Sequence, residues 1–219
     1  MFRHDCICML IAYPFITPIS ECSYVSVTRL TLICHARTVA QKLARFPMDE
    51  PLEMDWQTVK GSRAGRFRQP PQLLAGPETR ARQTAALFGS DVQCVPALRD
   101  YDFGRWHGLR INDVHKAEPE ALQVWLGDPH AAPHGGESVT QLCQRVGLWL
   151  DELSTRPGHF LAITHPFVIR AALMQVLQCP PGAFHQIDVL PLSSAELHFN
   201  GRWRLRLIDR VAPAEEEDS

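Results

Sequence analysis

Residues 30–41 read LTLICHARTVAQ, and the fold turns on how this stretch is understood. Leu30, Thr31, Leu32 and Ile33 form a short apolar run that stops abruptly at Cys34-His35-Ala36-Arg37-Thr38. A run of this length bounded by a loop suits a buried strand, and Arg29–Ile33 is assigned as one. From Thr38 onward Ala40, Gln41, Lys42 and Leu43 favour a helix until Pro47 ends it. The unit is strand, loop, helix, with a histidine carried at the strand's exit.

The same unit recurs twice. Gln72–Ala75 reads as a short strand, and Gly76-Pro77-Glu78-Thr79 opens a helix through Phe88, with Pro77 near the first turn where its missing N–H costs nothing. Phe160–Ile163 is a third strand, leading through Thr164-His165-Pro166 into a helix over Val168–Leu177. Between them, Ile111–Leu126 is expected as one helix. Val139, Leu142, Val146, Leu150 and Leu153 mark a long amphipathic helix. Residues 55–71 read as a weak helix followed by a loop. Ile187–Leu190, Ala195–Phe199 and Trp203–Ile208 are expected strands, the last two joined by the two-residue hairpin signal Asn200-Gly201.

Strands alternating with helices predict an α/β fold: a three-layer α/β/α sandwich around a mostly parallel central sheet with an antiparallel hairpin at one edge. Ligands in such sheets bind beyond the carboxyl ends of the strands. His35, Arg80 and His165 each follow such an end, so residues far apart in the chain are expected to meet there.

The chain has 219 residues, of which 45% are hydrophobic and 21% charged, as expected for one globular domain. Lysine plus arginine number 22 against 24 acidic residues, which excludes a global basic field for nucleic acid or a membrane surface. Arginine far outnumbers lysine and recurs at Arg37, Arg45, Arg63, Arg66, Arg68, Arg80 and Arg82. Its fork suits phosphate, although any one of these is more commonly solvated surface. Seven cysteines form no C-x-x-C pair, which argues for a reducing, cytoplasmic compartment and against a metal centre; no metal or cofactor is called for. Residues 7–19 resemble the apolar core of a secretory signal, but two prolines interrupt them and Ser20-Glu21-Cys22 is a poor cleavage site. Residues 1–27 are therefore taken as an extension or a start set too early, 28–210 as the domain, and 211–219 as an acidic, disordered tail.

Two histidines, an arginine and a carboxylate at helix N-termini make an anion site, and phosphate is the natural guest. Five stretches carry a family resemblance. Leu32-Ile33-Cys34-His35-Ala36-Arg37-Thr38 stands where the pattern L-x-R-H-G-x-T is expected. Gly76-Pro77-Glu78-Thr79-Arg80-Ala81-Arg82-Gln83-Thr84-Ala85 matches S-P-x-x-R-A-x-Q-T-A. Leu98 to Gly108, with Asp100, resembles the acid loop L-x-E-x-x-x-G-x-W-E-G. Gly135-Gly136-Glu137-Ser138 and the later Thr164-His165-Pro166 with Val168-Ile169-Arg170 resemble G-G-E-S and S-H-G-x-V-I-R. In this order they resemble the histidine phosphatase superfamily, the phosphoglycerate-mutase-like proteins.

The resemblance implies a small phosphorylated substrate or inorganic phosphate as partner, with a homodimer allowed. It implies that His35 attacks phosphorus to give a phosphohistidine and that Asp100 protonates the leaving oxygen and then activates water. Arg80 and His165 would hold the phosphoryl oxygens. Cys34, Arg37, Thr38, Arg45 and Thr164 are the expected substrate-binding residues.

At the nucleophile and the acid the chain departs from the pattern: Cys34 replaces its arginine, Ala36 its glycine, and Asp100 is shorter than its glutamate. Losing one charge-assisted contact costs ~1.5 to 3 kcal/mol, and losing a cation beside His35 should favour its protonated, non-nucleophilic form. Arg37 or Arg45 is expected to reach the vacated position. A cysteine phosphatase fails on spacing, since C-x5-R would place its arginine at Ala40. Two main readings stand, a phosphomonoester hydrolase and a silent phosphate-ligand binder. A phosphomutase ranks below both, because no long insertion is present to close over a sugar acid.

Overall fold

The central strand β1 (Thr28–Cys34) pairs on one side with β4 (Gly158–Thr164), parallel, and on the other with β5 (Ser194–Phe199), antiparallel. With β2 (Gln72–Ala75), β3 (Val92–Cys94) and β6 (Trp203–Arg206) they form one six-stranded sheet in the order β3-β2-β4-β1-β5-β6. The first four are mutually parallel, and β5 and β6 form the antiparallel edge. The computed structural model describes residues 27–53 and 70–207.

The alternation of side chains along each strand builds the layers. From β1 and β4, Leu30, Leu32, Cys34, Phe160 and Ala162 join one core with α5 (Val139–Ser154) and α6 (Pro166–Leu177). Ile33, Leu161 and Ile163 face the other way, onto Ala81 and Ala85 of α2 (Thr79–Ala85). Helices thus cover both faces of a mostly parallel sheet. α5 starts where expected, because the Ser138 hydroxyl accepts from Gln141 N at 3.2 Å while Gln141 Oε1 accepts from Ser138 N at 2.8 Å, a reciprocal cap. No helix among the described residues is long and apolar enough to cross a membrane.

Five expectations need correction. The helix after His35 is a single turn, α1 (Val39–Lys42), because Ala44 adopts a left-handed φ of 48° well before Pro47. The helix opened at Thr79 ends at Ala85, three residues short of Phe88. The stretch over 111–126 is two helices, α3 (Ile111–Ala117) and α4 (Pro119–Gly127): Glu118, which precedes a proline, leaves the helical region with φ −138° and ψ 57°. Ile187–Leu190 forms no strand, since β5 and β6 fill that side of β1 and Leu190 is exposed. The hairpin loop has three residues rather than two: Phe199 pairs with Trp203, and Gly201 takes φ 74° between them. β3 was not anticipated, because Val-Gln-Cys is short and half exposed and carries little apolar signal. The weak helix read over 55–71 lies outside the described residues except at Pro70 and Pro71, which are loop, and so do 1–26 and 208–219.

Candidate active site

β1 and β4 pair in register with Cys34 opposite Thr164, so the next residue on each strand is a histidine leaving the sheet at the same level. His35 N donates to Thr164 O at 2.9 Å, which continues the ladder by one rung. The two rings lie 5.2 Å apart, centroid to centroid, tilted by 59°. Arg80, on the first turn of α2 beyond β2, reaches the same place, as does Asp100 from the loop after the turn Pro96–Leu98. Its Nη2 lies 2.5 Å from Asp100 Oδ2, and its Nη1 donates to Met48 O at 2.6 Å. His165 Nδ1 is 3.4 Å from the same Asp100 oxygen.

Asp100 is held from behind. Glu137 is paired with Arg145 at 2.6 Å, and the Arg145 guanidinium also donates to the carbonyls of Ala97, Arg99 and Asp100. The Thr164 hydroxyl donates to Leu98 O at 2.8 Å. Further along, Gly136 packs where a Cβ would lie 2.1 Å from Asp102 O, so the G-G-E-S segment touches the acid loop directly. Asp102 and His107 brace that loop, with His107 Nδ1 donating to Pro47 O at 2.7 Å.

His35 Nδ1 lies 2.7 Å from Ala36 O. A carbonyl only accepts, so Nδ1 carries the proton and Nε2 is left with its lone pair. Burial, then the charges of His165 and Arg80, push the His35 pKa down to about 3. The imidazole is neutral at ordinary pH. Losing a cation at position 34 favours the protonated form, and burial of the ring works against it as the largest cause of the lowered value. Burial alone would raise the Asp100 carboxyl, but His165 and then Arg80 lead the opposing influences that hold it down to about 2, so it is ionised.

Cys34 does not reach a ligand position. It is fully buried on the α5 and α6 side with Leu30 and Leu32, and burial with the nearby Asp100 charge pushes its thiol up to about 12. Thr164 is also sealed in, its hydroxyl spent on Leu98. Arg37 is exposed and does not line the cavity beside His35. Arg45 does line it, but its Nη2 is paired with Glu50 Oε2 at 2.5 Å. Thr38 lines the cavity too, and its buried Oγ1 has no hydrogen-bond partner among the described residues; the same holds for Arg80 Nε and His165 Nδ1. Unsatisfied buried donors cost about 1–3 kcal/mol each, and an oxyanion supplies the acceptors they lack.

Glu78 is the residue the sequence reading missed. Its Oε2 lies 2.6 Å from His165 Nε2, and its Oε1 accepts from Asp100 N at 2.9 Å. Burial raises its carboxyl, but the His165 contact and the Asp100 N–H more than offset this and hold it below its ordinary value. A Cβ on Gly76 would lie 2.9 Å from Glu78 Oε2 and 3.1 Å from His165 Nε2. The glycine where the pattern has serine therefore makes room for the carboxylate two residues on.

The family model of the histidine phosphatase superfamily (branch 1) matches residues 30–209. The chain belongs to this superfamily. Among curated proteins, it is 28% identical over 198 residues to "Bifunctional protein Rv2228c" of Mycobacterium tuberculosis, covering 84% of this chain and 54% of that protein. The chain thus spans about half the length of the first relatives it matches. It is also 29% identical over 163 residues to an "Acid phosphatase" of the same organism, covering 69% and 77% of the two chains. Among solved structures, a mycobacterial glucosyl-3-phosphoglycerate phosphatase complexed with VO3 superposes with a TM-score of 0.69 at 25% identity, over 82% of this chain and 97% of that one.

Proposed function

We propose that this histidine phosphatase homologue is a phosphomonoester hydrolase acting on a small phosphorylated metabolite through a phosphohistidine at His35. The observation that supports this most is the bare Nε2 of a neutral His35, beside the buried Thr38 hydroxyl and Arg80 Nε, which have no hydrogen-bond partner among the described residues. In the first step Nε2 bonds to phosphorus as the ester P–O bond breaks, and Asp100 gives its proton to the leaving oxygen. In the second, water attacks phosphorus, Asp100 takes back a proton, and the N–P bond breaks to release phosphate.

The acid role requires Asp100 to be protonated, yet the cations around it hold it near 2. Substrate resolves this tension. A phosphoryl dianion draws the charges of Arg80 and His165 onto itself and adds its own negative field, and both effects raise the Asp100 pKa. The relatives named as phosphatases agree with this chemistry, and the cysteine pattern keeps a cytoplasmic setting within the reading.

One observation favours the silent binder: Cys34 supplies no cation, and both terminal nitrogens of Arg80 are already engaged. Turnover of p-nitrophenyl phosphate, abolished in His35→Asn, is the expected result. Inorganic phosphate binding with no turnover of any phosphomonoester would overturn the hydrolase.

A further inference from the structure

The cavity beside His35 and Asp100 holds about 180 Å3, and its wall is unlike the anion site it adjoins. Phe46, Phe103, Trp125, Phe167 and Ile111 line it. The rings brace one another: Phe46 and Phe103 lie 4.8 Å apart, Phe46 meets Trp125 edge-on at 5.9 Å, and Trp125 stacks on Phe167 at 6.3 Å. Such a wall is rigid and offers few hydrogen bonds. Its guanidinium, Arg45, is paired with Glu50. An apolar cavity of roughly 150 Å3 is enough to hold benzene.

We propose that this cavity receives the alcohol half of the substrate, and that the substrate class is a phosphomonoester of a compact apolar alcohol, about one aromatic ring in size. The proposal rests on the hydrolase reading only in calling the ligand a substrate. The phosphoryl group sits at His35, Arg80 and His165, and the attached ring enters the aromatic box. A carboxylated or sugar-like alcohol brings polar groups that the box leaves unpaired, and such mismatches discriminate more strongly than apolar ones.

The test uses the full chain and two phosphonates that cannot be hydrolysed, phenylphosphonate and phosphonoacetate, with affinities measured by calorimetry. Phenylphosphonate is expected to bind at least ~10-fold more tightly, in line with what apolar pockets achieve. In Ile111→Asn, altered at an exposed wall residue, that ratio should collapse toward one. Alongside, kcat/KM for phenyl phosphate should exceed that for O-phosphoserine by at least ~10-fold. Equal affinities, or a preference for phosphonoacetate, would overturn the proposal, as would His35-dependent turnover that favours O-phosphoserine; neither touches the hydrolase reading. The expected affinity ratio without turnover of any ester would uphold the cavity assignment and sink the hydrolase.

Discussion

Replacing Glu78 with glutamine tests the arrangement at its least anticipated point. The carboxylate accepts twice, from His165 Nε2 at 2.6 Å and from Asp100 N at 2.9 Å. Glutamine keeps one acceptor oxygen and turns the other position into a donor, so either Asp100 N faces another N–H or His165 must shift its proton to Nδ1 and accept through Nε2. At least one charge-assisted bond is lost, about 1.5–3 kcal/mol. If that bond matters mainly when His165 holds the transferring phosphoryl group, kcat/KM for p-nitrophenyl phosphate should fall roughly 10- to 100-fold. Vanadate, which imitates the five-coordinate phosphorus of the transition state, should lose inhibition by a similar factor. Inorganic phosphate should lose much less. A purely structural role would lower the melting temperature and leave the vanadate-to-phosphate ratio alone. Wild-type kcat/KM and an unchanged ratio in a folded Glu78→Gln protein would refute the reasoning.

Asp100→Asn should cost ~10²–10⁴-fold on phenyl phosphate, whose leaving oxygen needs a proton, but far less on p-nitrophenyl phosphate, whose leaving group departs as the anion; equal losses on both would deny Asp100 the acid role. His35 titrates near 6.5 when unfolded and at about 3 in the fold, so the unfolded chain binds the extra proton between these values. This contribution is complete above pH ~6.5 and is lost at ~1.4 kcal/mol per unit as pH falls toward 3. Urea titrations of wild type and His35→Asn at several pH values across that range should differ by this slope, and parallel lines would contradict it. Asp100, lowered to about 2, loses its contribution only below pH ~4. Thiol reagents with mass mapping should modify exposed Cys94 and spare Cys34, whose thiol stands at about 12, without abolishing turnover; inactivation traced to Cys34 would revive a thiol mechanism. Gly76→Ser should destabilise by about 1–3 kcal/mol, since its Cβ would lie 2.6 Å from Leu98 O, and an unchanged melting temperature would show that the loop gives way freely.

What the sequence discloses follows from how local each signal is. The two histidines were legible because each ends a short apolar run, and adjacent parallel strands bring such ends together. The resemblance places Cys34 at the ligand, whereas strand parity puts it on the same face as Leu30 and Leu32, in the core. Glu78 was overlooked because a carboxylate just before a helix ordinarily serves as its cap; its real partner, His165, lies 87 residues away. The aromatic wall was equally hidden, since Phe46, Phe103, Trp125 and Phe167 come from separate segments and no periodicity links them. The break at Glu118 was readable from Pro119 alone, and the continuous apolar pattern masked it.

The register of β1 against β4 has a thermodynamic corollary. The two imidazoles hang from the same level, one residue beyond the last pair of the innermost ladder of the sheet, so breathing of the rim strands or surface loops leaves their spacing intact. Separating them requires opening the β1–β4 pairing at the centre of the sheet. Deuterium uptake at the His35 amide, bonded to Thr164 O, should therefore be as slow as at the deepest positions of the molecule, and the spacing of the two rings should persist on heating until the protein itself melts.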